Sequence, residues 1–326
     1  MAATTRTRTR KPAARTARRD LYAEITQTIV ELMEAGTDPW RKPWASGVLT
    51  GLPMKMSNGK AYRGVNVFIL GLTGAVKGYT SPWWGSYRQI EALGGQVRKG
   101  EKGTTVVYFS TFESKTDTDA KGNPKQIPFL KYSTVFNAAQ ADGLPERFHP
   151  AAPEPGAARS EFAAIEACQA VQDDYLARTG IALTHGGDRA AYSPSLDVIV
   201  LPDPDAFTGE PAEYYSTSFH ELGHSTGHAD RLNRPELTAH THFGDNLYAK
   251  EELVAEMTSA IVCGVTGIGQ YTHPNSAAYL RNWAGVLRGD SKLVLRAASK
   301  AQAAADLILG TTPGDADDTD TGAAEV

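Results

Sequence analysis

The segment His220-Glu221-Leu222-Gly223-His224 sets two imidazoles four residues apart with a carboxylate between them. On a helix such imidazoles lie about 40° apart around the axis and one turn apart along it, so both can reach one point. A single tetrahedral metal ion can be held there. Glu221 lies about 100° round from His220, beside the metal rather than on it. A carboxylate so placed can take the proton of a water whose pKa the metal has lowered. This is the chemistry of a metal-dependent peptidase. Glu221 is its expected general base and Zn2+ the expected ion, with Mn2+ or another divalent cation as the alternative. Gly223 costs a helix interior roughly 1 kcal/mol relative to Ala, which implies that something approaches closely at that position.

A third ligand is needed, and several residues compete for the place. His228 and Asp230 follow Gly227, and the spacing through Asp230 imitates the extended metzincin pattern with Asp in the last position. Downstream, the run Tyr248 to Glu256 offers Glu251, Glu252 and Glu256. Glu252 and Glu256 are four apart and share a helix face. One could bind the metal while the other hydrogen-bonds a ligand imidazole from behind, which is the gluzincin arrangement. Tyr215 and His228 are candidates for stabilising an oxyanion.

The elements that must position these groups follow from pattern. Pro211 suits the first turn of a helix and Gly227 its end, so the histidines fall on a helix. Val198 to Leu201 reads as a strand after a turn at Ser193-Pro194-Ser195, and is expected to line the cleft and pair with an extended substrate. Ser160 reads as the cap of a helix over Glu161 to Arg178, and Glu251 to Cys263 and Ala277 to Leu309 are helical in composition. Upstream, Leu21, Ile25, Ile29 and Leu32 predict an amphipathic helix from Asp20 to Met33. A loop follows through Trp40-Arg41-Lys42-Pro43-Trp44. Asn66 to Leu72 and Trp83 to Leu93 read as helices. Val97 to Phe112 reads as a β-hairpin about Lys99-Gly100-Glu101-Lys102-Gly103, and Phe129 to Phe136 as a strand. The Pro- and Ala-rich run at 150–157 has linker composition. The expected class is α+β in two domains: a basic tail at 1–19, a first domain at 20–149, a linker at 150–158, a second domain at 159–310 and an acidic tail at 311–326.

Charge and composition narrow the function classes. The formal net charge is −4, but seven of the 33 basic residues lie within positions 1–19, where there is no acid. Like-charged ends of this kind read as mobile tails, and a basic one suits a phosphate backbone. Two cysteines define neither a disulfide framework nor a thiolate metal site, and fit a cytoplasmic protein. No apolar run is long enough for a transmembrane helix. Four of the five tryptophans, Trp40, Trp44, Trp83 and Trp84, fall in the first domain. They are interleaved with cations and a tyrosine, among them Lys60, Tyr62, Arg63 and Arg88. Lys99 and Lys102 add a basic turn. Aromatic platforms with cations between them are how single-stranded nucleic acid is bound, each stacked base contributing roughly 1–3 kcal/mol.

Longer phrases carry a family resemblance. Asp38-Pro39-Trp40 through Trp44, Asn58 through Asn66, Gly94 through Gly103 and Val135-Phe136-Asn137 resemble the single-stranded-DNA-binding domain of ArdC-type antirestriction proteins, shared with TraC-type conjugative primases. Gly187-Asp188-Arg189, Tyr192-Ser193-Pro194, Tyr215-Ser216-Thr217, His220 to His228, Arg231-Leu232 and Tyr248 to Glu256 resemble the zincin-like metallopeptidase domain that follows it in that family. The resemblance implies a protein of a plasmid or phage that protects incoming DNA from restriction. It implies single-stranded DNA as partner, with Asn66 among the binding residues, and an unidentified protein or peptide as substrate. It favours a downstream glutamate as third ligand over Asp230, and helix geometry selects Glu252 among Glu251, Glu252 and Glu256. Two rival readings remain: a protein that only coats DNA around a structural metal, and a metal-dependent nuclease. Carboxylate-rich sites and hard cations are more usual for the latter.

Overall fold

The first helix, α1 (Leu21–Glu34), begins where the Asp20 side chain accepts the Ala23 N–H at 3.1 Å. Short acceptors favour that position because the first-turn N–H groups have no partner within the helix. Its stripe of Leu21, Ile25, Ile29 and Met33 is buried, as the helical period requires. The computed structural model describes residues 20–34, 51–118, 123–149, 161–207, 211–238, 246–268 and 277–311. Trp40, Trp44, the expected Ser160 cap, the expected linker at 150–158 and the basic tail lie outside the described residues, as does the acidic tail beyond 311.

The first half is built on a four-stranded sheet in the order β1 (Met54–Lys55), β2 (Trp83–Gly85), β5 (Pro124–Asn137) and β4 (Thr104–Thr118). Helix α2 (Val65–Lys77) packs on β4. The expected helix over Trp83 to Leu93 is instead two elements. Trp83 and Trp84 lie in β2, and α3 (Tyr87–Ala92) starts only after Ser86. Ser86 closes a capping box with Gln89, which stops the helix from extending backwards into the tryptophans. The expected hairpin about Lys99–Gly103 is also corrected. A turn is present, with Gly100 at φ 91°, but its two sides enter different sheets. β3 (Gln96–Val97) pairs with β6 (Ala141–Asp142), whereas β4 pairs with β5 in a long hairpin. A turn signal fixes where the chain bends, and partners distant in sequence decide what each arm pairs with.

The second half holds α4 (Glu161–Thr179) and a three-stranded sheet ordered β7 (Ala182–His185), β9 (Val198–Leu201), β8 (Ala191–Ser193). Then come α5 (Pro211–Ser225), α6 (Asn246–Thr266), α7 (Ala277–Gly289) and α8 (Leu293–Leu309). β9 is central, parallel to β7 and antiparallel to β8. Its backbone groups are therefore committed on both sides, and the expected pairing of Val198–Leu201 with a substrate does not hold. The edge strand packed on α5 is β8.

The halves share one core. Ile29 of α1 and Phe68 of α2 belong to the same buried cluster as Phe219, Met257 and Ala298. α1 packs along α7, and the Thr26 hydroxyl donates to the Ser291 carbonyl at 2.7 Å. Both cysteines are free and buried. Among the described residues no helix is long and apolar enough to cross a membrane.

Candidate metal centre

Two helices make the site, and small residues let them come close. A Cβ on Gly223 of α5 would stand 3.3 Å from the Ala255 Cα of α6. The Ser259 hydroxyl donates to the Ser216 carbonyl across the same seam at 3.0 Å. The close approach expected from Gly223 is thus the neighbouring helix. α5 stops at Ser225, and the Gly227 N–H donates to the His224 carbonyl at 2.8 Å.

Across this seam His220 and His224 from α5 meet Glu252 from α6. Their ligand atoms all lie within 4.8 Å of one another, and among the described residues no other His, Cys, Asp and Glu group converges this way. The two Nε2 atoms are 3.1 Å apart. Glu252 places Oε2 3.5 Å from His220 Nε2 and Oε1 3.3 Å from His224 Nε2. A tetrahedron with bonds of about 2.1 Å has edges of about 3.4 Å. Two histidines and a glutamate with a fourth position open are therefore a fitting donor set for zinc, and nitrogen with carboxylate oxygen also suits manganese. Glu221, one residue from His220, is buried.

Behind these three side chains a further layer holds them. Glu251, 2% exposed, brings Oε1 to 3.3 Å from His224 Nδ1. Its two oxygens are also engaged by the buried Arg234, with the Nε contact at 2.9 Å. Arg234 in turn donates to the Gly223 carbonyl at 2.8 Å and the Thr226 hydroxyl at 2.6 Å. Glu256 Oε1 lies 3.9 Å from His220 Nδ1, an ion-pair distance too long for a hydrogen bond.

Charge follows geometry. Burial opposes a protonated His220, yet Glu252 and Glu256 hold it above its ordinary value. Burial likewise opposes a protonated His224, yet Glu252 and Glu251 hold it well above. Burial would raise the Glu252 carboxyl, but the two imidazoles outweigh it and hold it far below the usual carboxylate range. Glu251 is held low in the same way, by Arg234 and then His224. A divalent cation would compete for the positions these protons favour and release them on binding. The Tyr248 phenol is pushed up by burial, then by Glu252, to which it is hydrogen-bonded, and by Glu221. It therefore stays a donor at neutral pH.

Other expected residues fall elsewhere. The Tyr215 hydroxyl donates to Gln169 Oε1 of α4 at 2.5 Å, and burial raises that phenol to about 12. Tyr215 is a buried strut, and the phenol on the metal side is Tyr248. Asp230 is 89% exposed and pairs with His228 at 3.6 Å, outside the cluster. Glu251, Arg234 and Tyr248 take positions that spacing did not assign. The acids were visible in the run Tyr248–Glu256, but nothing local marks Arg234.

In the first half, two expected DNA-binding aromatics are core. Trp84 is 2% exposed and Tyr62 is buried with it, and Tyr79 meets the Trp84 ring edge-on at 5.9 Å. Alternation along β2 turns Trp84 inward and leaves Trp83 half-buried against Phe148. Asn66 spends its side-chain amide on the Val107 backbone, donating at 2.6 Å and accepting at 2.9 Å. Arg63 is tied to Asp306 of α8. Lys60, Arg88, Lys99 and Lys102 are exposed.

Two family profiles match the chain. That of the N-terminal domain of anti-restriction factor ArdC matches residues 19–136, and that of a zincin-like metallopeptidase matches residues 170–300. A protein of Sinorhizobium fredii, y4eC, is 37% identical over 88% of this chain and 91% of its own length. Two DNA primases TraC of Escherichia coli are 38% and 39% identical over 90% of this chain, which spans only 27% and 20% of their lengths. Crystal structures of antirestriction ArdC from plasmid R388 are similar throughout. The metal-free form has 43% identity and a TM-score of 0.70 over 89% of this chain and 96% of that one. The Mn(II)-bound form has 42% identity and a TM-score of 0.69 over 89% and 97%.

Proposed function

The chain belongs to the ArdC family of antirestriction proteins and carries a zincin-like domain as its second half, and from that premise we propose that it is a metallopeptidase tethered to single-stranded DNA. The observation that carries the catalytic half is the convergence of His220, His224 and Glu252, with the buried Glu221 one residue away on the same helix. The parallel with the Mn(II)-bound ArdC of R388 supports a divalent metal, zinc or manganese.

In this reading His220, His224 and Glu252 hold the cation. When bound, it supplies Lewis acidity, polarising a carbonyl and acidifying water. Glu221 takes the proton of the attacking water and later passes it to the departing amine. Tyr248 turns its one hydroxyl proton from Glu252 to the oxygen on which charge develops, and the substrate lies extended beside the edge strand β8. In the first domain the exposed Lys60, Arg88, Lys99 and Lys102 follow the phosphate backbone. Trp40, Trp44 and the half-buried Trp83 are its candidate stacking residues.

Glu221→Gln tests the mechanism against a fluorogenic peptide library. The variant is expected to keep its metal and fold and to lose cleavage by about a hundredfold or more. Cleavage equal to the parent's would sink the mechanism. Protection from restriction that survived in the variant would move the function to DNA coating alone. Single-stranded DNA binding by the full chain, falling steeply with salt, tests the tether.

A further inference from the structure

The hairpin of β4 and β5 runs beyond the sheet that carries it. β2 reaches β5 only at Phe136 and Asn137, whereas the β4–β5 ladder continues in regular register from Thr104 opposite Val135 to Glu113 opposite Gln126. What extends past Val135 is a two-stranded ribbon, which is marginal when unsupported. α2 supports it. That helix packs on β4, and the Asn66 amide holds both backbone groups of Val107.

Side chains alternate across a strand, so Lys125, Ile127, Phe129, Lys131 and Ser133 of β5 share one face. Tyr108 of β4 joins them, because it stands directly opposite Lys131. Glu113, the one acid of the regular ladder, is five positions from Tyr108 and falls on the opposite face. The Lys131 ammonium lies 5.2 Å from the Phe129 ring centroid. A ring face orients an ammonium without neutralising it, as a carboxylate would. Lys125 is exposed, and neither lysine has an acidic partner among the described residues. Six residues of strand separate the two cations by about 20 Å, room for several nucleotides between them. Tyr108 is half-buried, and with Ser133 it also lines the cleft whose far wall is α8.

On the reading of the first domain as a single-strand binder, we infer that this face of the ribbon is a contact surface for single-stranded DNA, with a base stacked on Tyr108 and phosphates on Lys131 and Lys125. Cations interleaved with an aromatic ring and free of acids suit a strand whose bases are unpaired. The contact then extends from the tryptophan phrases to the hairpin, where the sequence pattern marks only a strand. A single strand lying along this face would end at the junction of the two halves, where Tyr108 and Ser133 face α8.

The test uses the full chain, a labelled oligothymidylate, an abasic strand of the same length, a duplex and a salt series. Lys125→Met and Lys131→Met each remove a charge and keep the length. Each is expected to weaken single-strand binding several-fold and to lower the salt slope by about one. Tyr108→Leu is expected to weaken the oligothymidylate about tenfold and to leave the abasic strand unchanged, which a merely structural role of the ring would not do. Arg189→Met, the same loss of charge at an exposed position of the second half, is expected to change neither. Parent-like affinity and salt slope in both lysine variants, with the parent binding tightly, would overturn the surface and leave the tether intact. So would a Tyr108→Leu loss that is equal on the abasic strand. Equal losses on duplex DNA would overturn it too and assign the face to a paired backbone. No binding by the parent would sink the tether itself and the surface with it.

Discussion

Glu251 stands 3.3 Å from Nδ1 of His224, the ring nitrogen that faces away from the Glu252 carboxylate. Its other contacts are with Arg234, so one buried ion pair sets how the imidazole is turned. A carboxylate on the far nitrogen fixes the proton there and leaves Nε2 free to ligate.

Glu251→Gln should therefore keep the fold and weaken divalent metal binding by about 10- to 100-fold. Calorimetric titration of zinc and manganese into the variant measures this. Arg234→Lys should do the same more mildly, because one ammonium cannot replace the fork that reaches Glu251, Gly223 and Thr226. Parent-like affinity in both variants would reduce the pair to a structural contact.

Asp197 offers a test by pH. It sits at φ 51° in the turn between β8 and β9 and is bonded by Arg231 and by the Tyr192 hydroxyl. Hydrogen bonds from Arg231 hold its carboxyl below the usual range, outweighing burial. A depressed carboxyl adds stability above its unfolded pKa of about 3.9 and loses it as pH falls through the lower folded value. Asp197→Asn keeps a side chain that tolerates positive φ and removes the charge. The variant should be less stable than the parent at neutral pH, with the gap closing below about pH 4. Urea midpoints across pH measure it, and a gap independent of pH would refute the linkage.

The adjacent tryptophans should separate cleanly. Trp84→Ala empties a fully packed site and is expected to cost about 3–5 kcal/mol. Trp83→Ala should cost less, because Trp83 is only half-buried, and its effect on oligonucleotide affinity should exceed that on stability. Thermal unfolding and DNA titration of both variants decide this, and equal stability losses would place both rings in the core.

The convergence of His220 and His224 on α5 was legible because helical spacing alone brings the two imidazoles together. Glu252 was legible as one of several acids, and the choice among them needed the crossing of α5 and α6. Arg234 was not, since its partners lie 8 to 17 positions away. In the first half, composition identified aromatic and basic residues but not their direction. Tyr62, Trp84 and Asn66 share phrases with exposed cations yet spend themselves on packing and on the β4 backbone. The central place of β9 was likewise hidden, because sheet order depends on partners that its own four residues do not name.

The shared core also bears on how such a module is inherited. α1 opens the first half but covers α7 of the second, and Arg63 is answered from α8. Either half alone would bare an apolar face and leave a charge unmatched. A gene exchange that kept only the first half would inherit a surface prone to aggregate. In the two TraC primases the matching stretch spans 311 and 308 residues, taking in both halves. Selection at the protein level would then act on the pair as one transferable cassette.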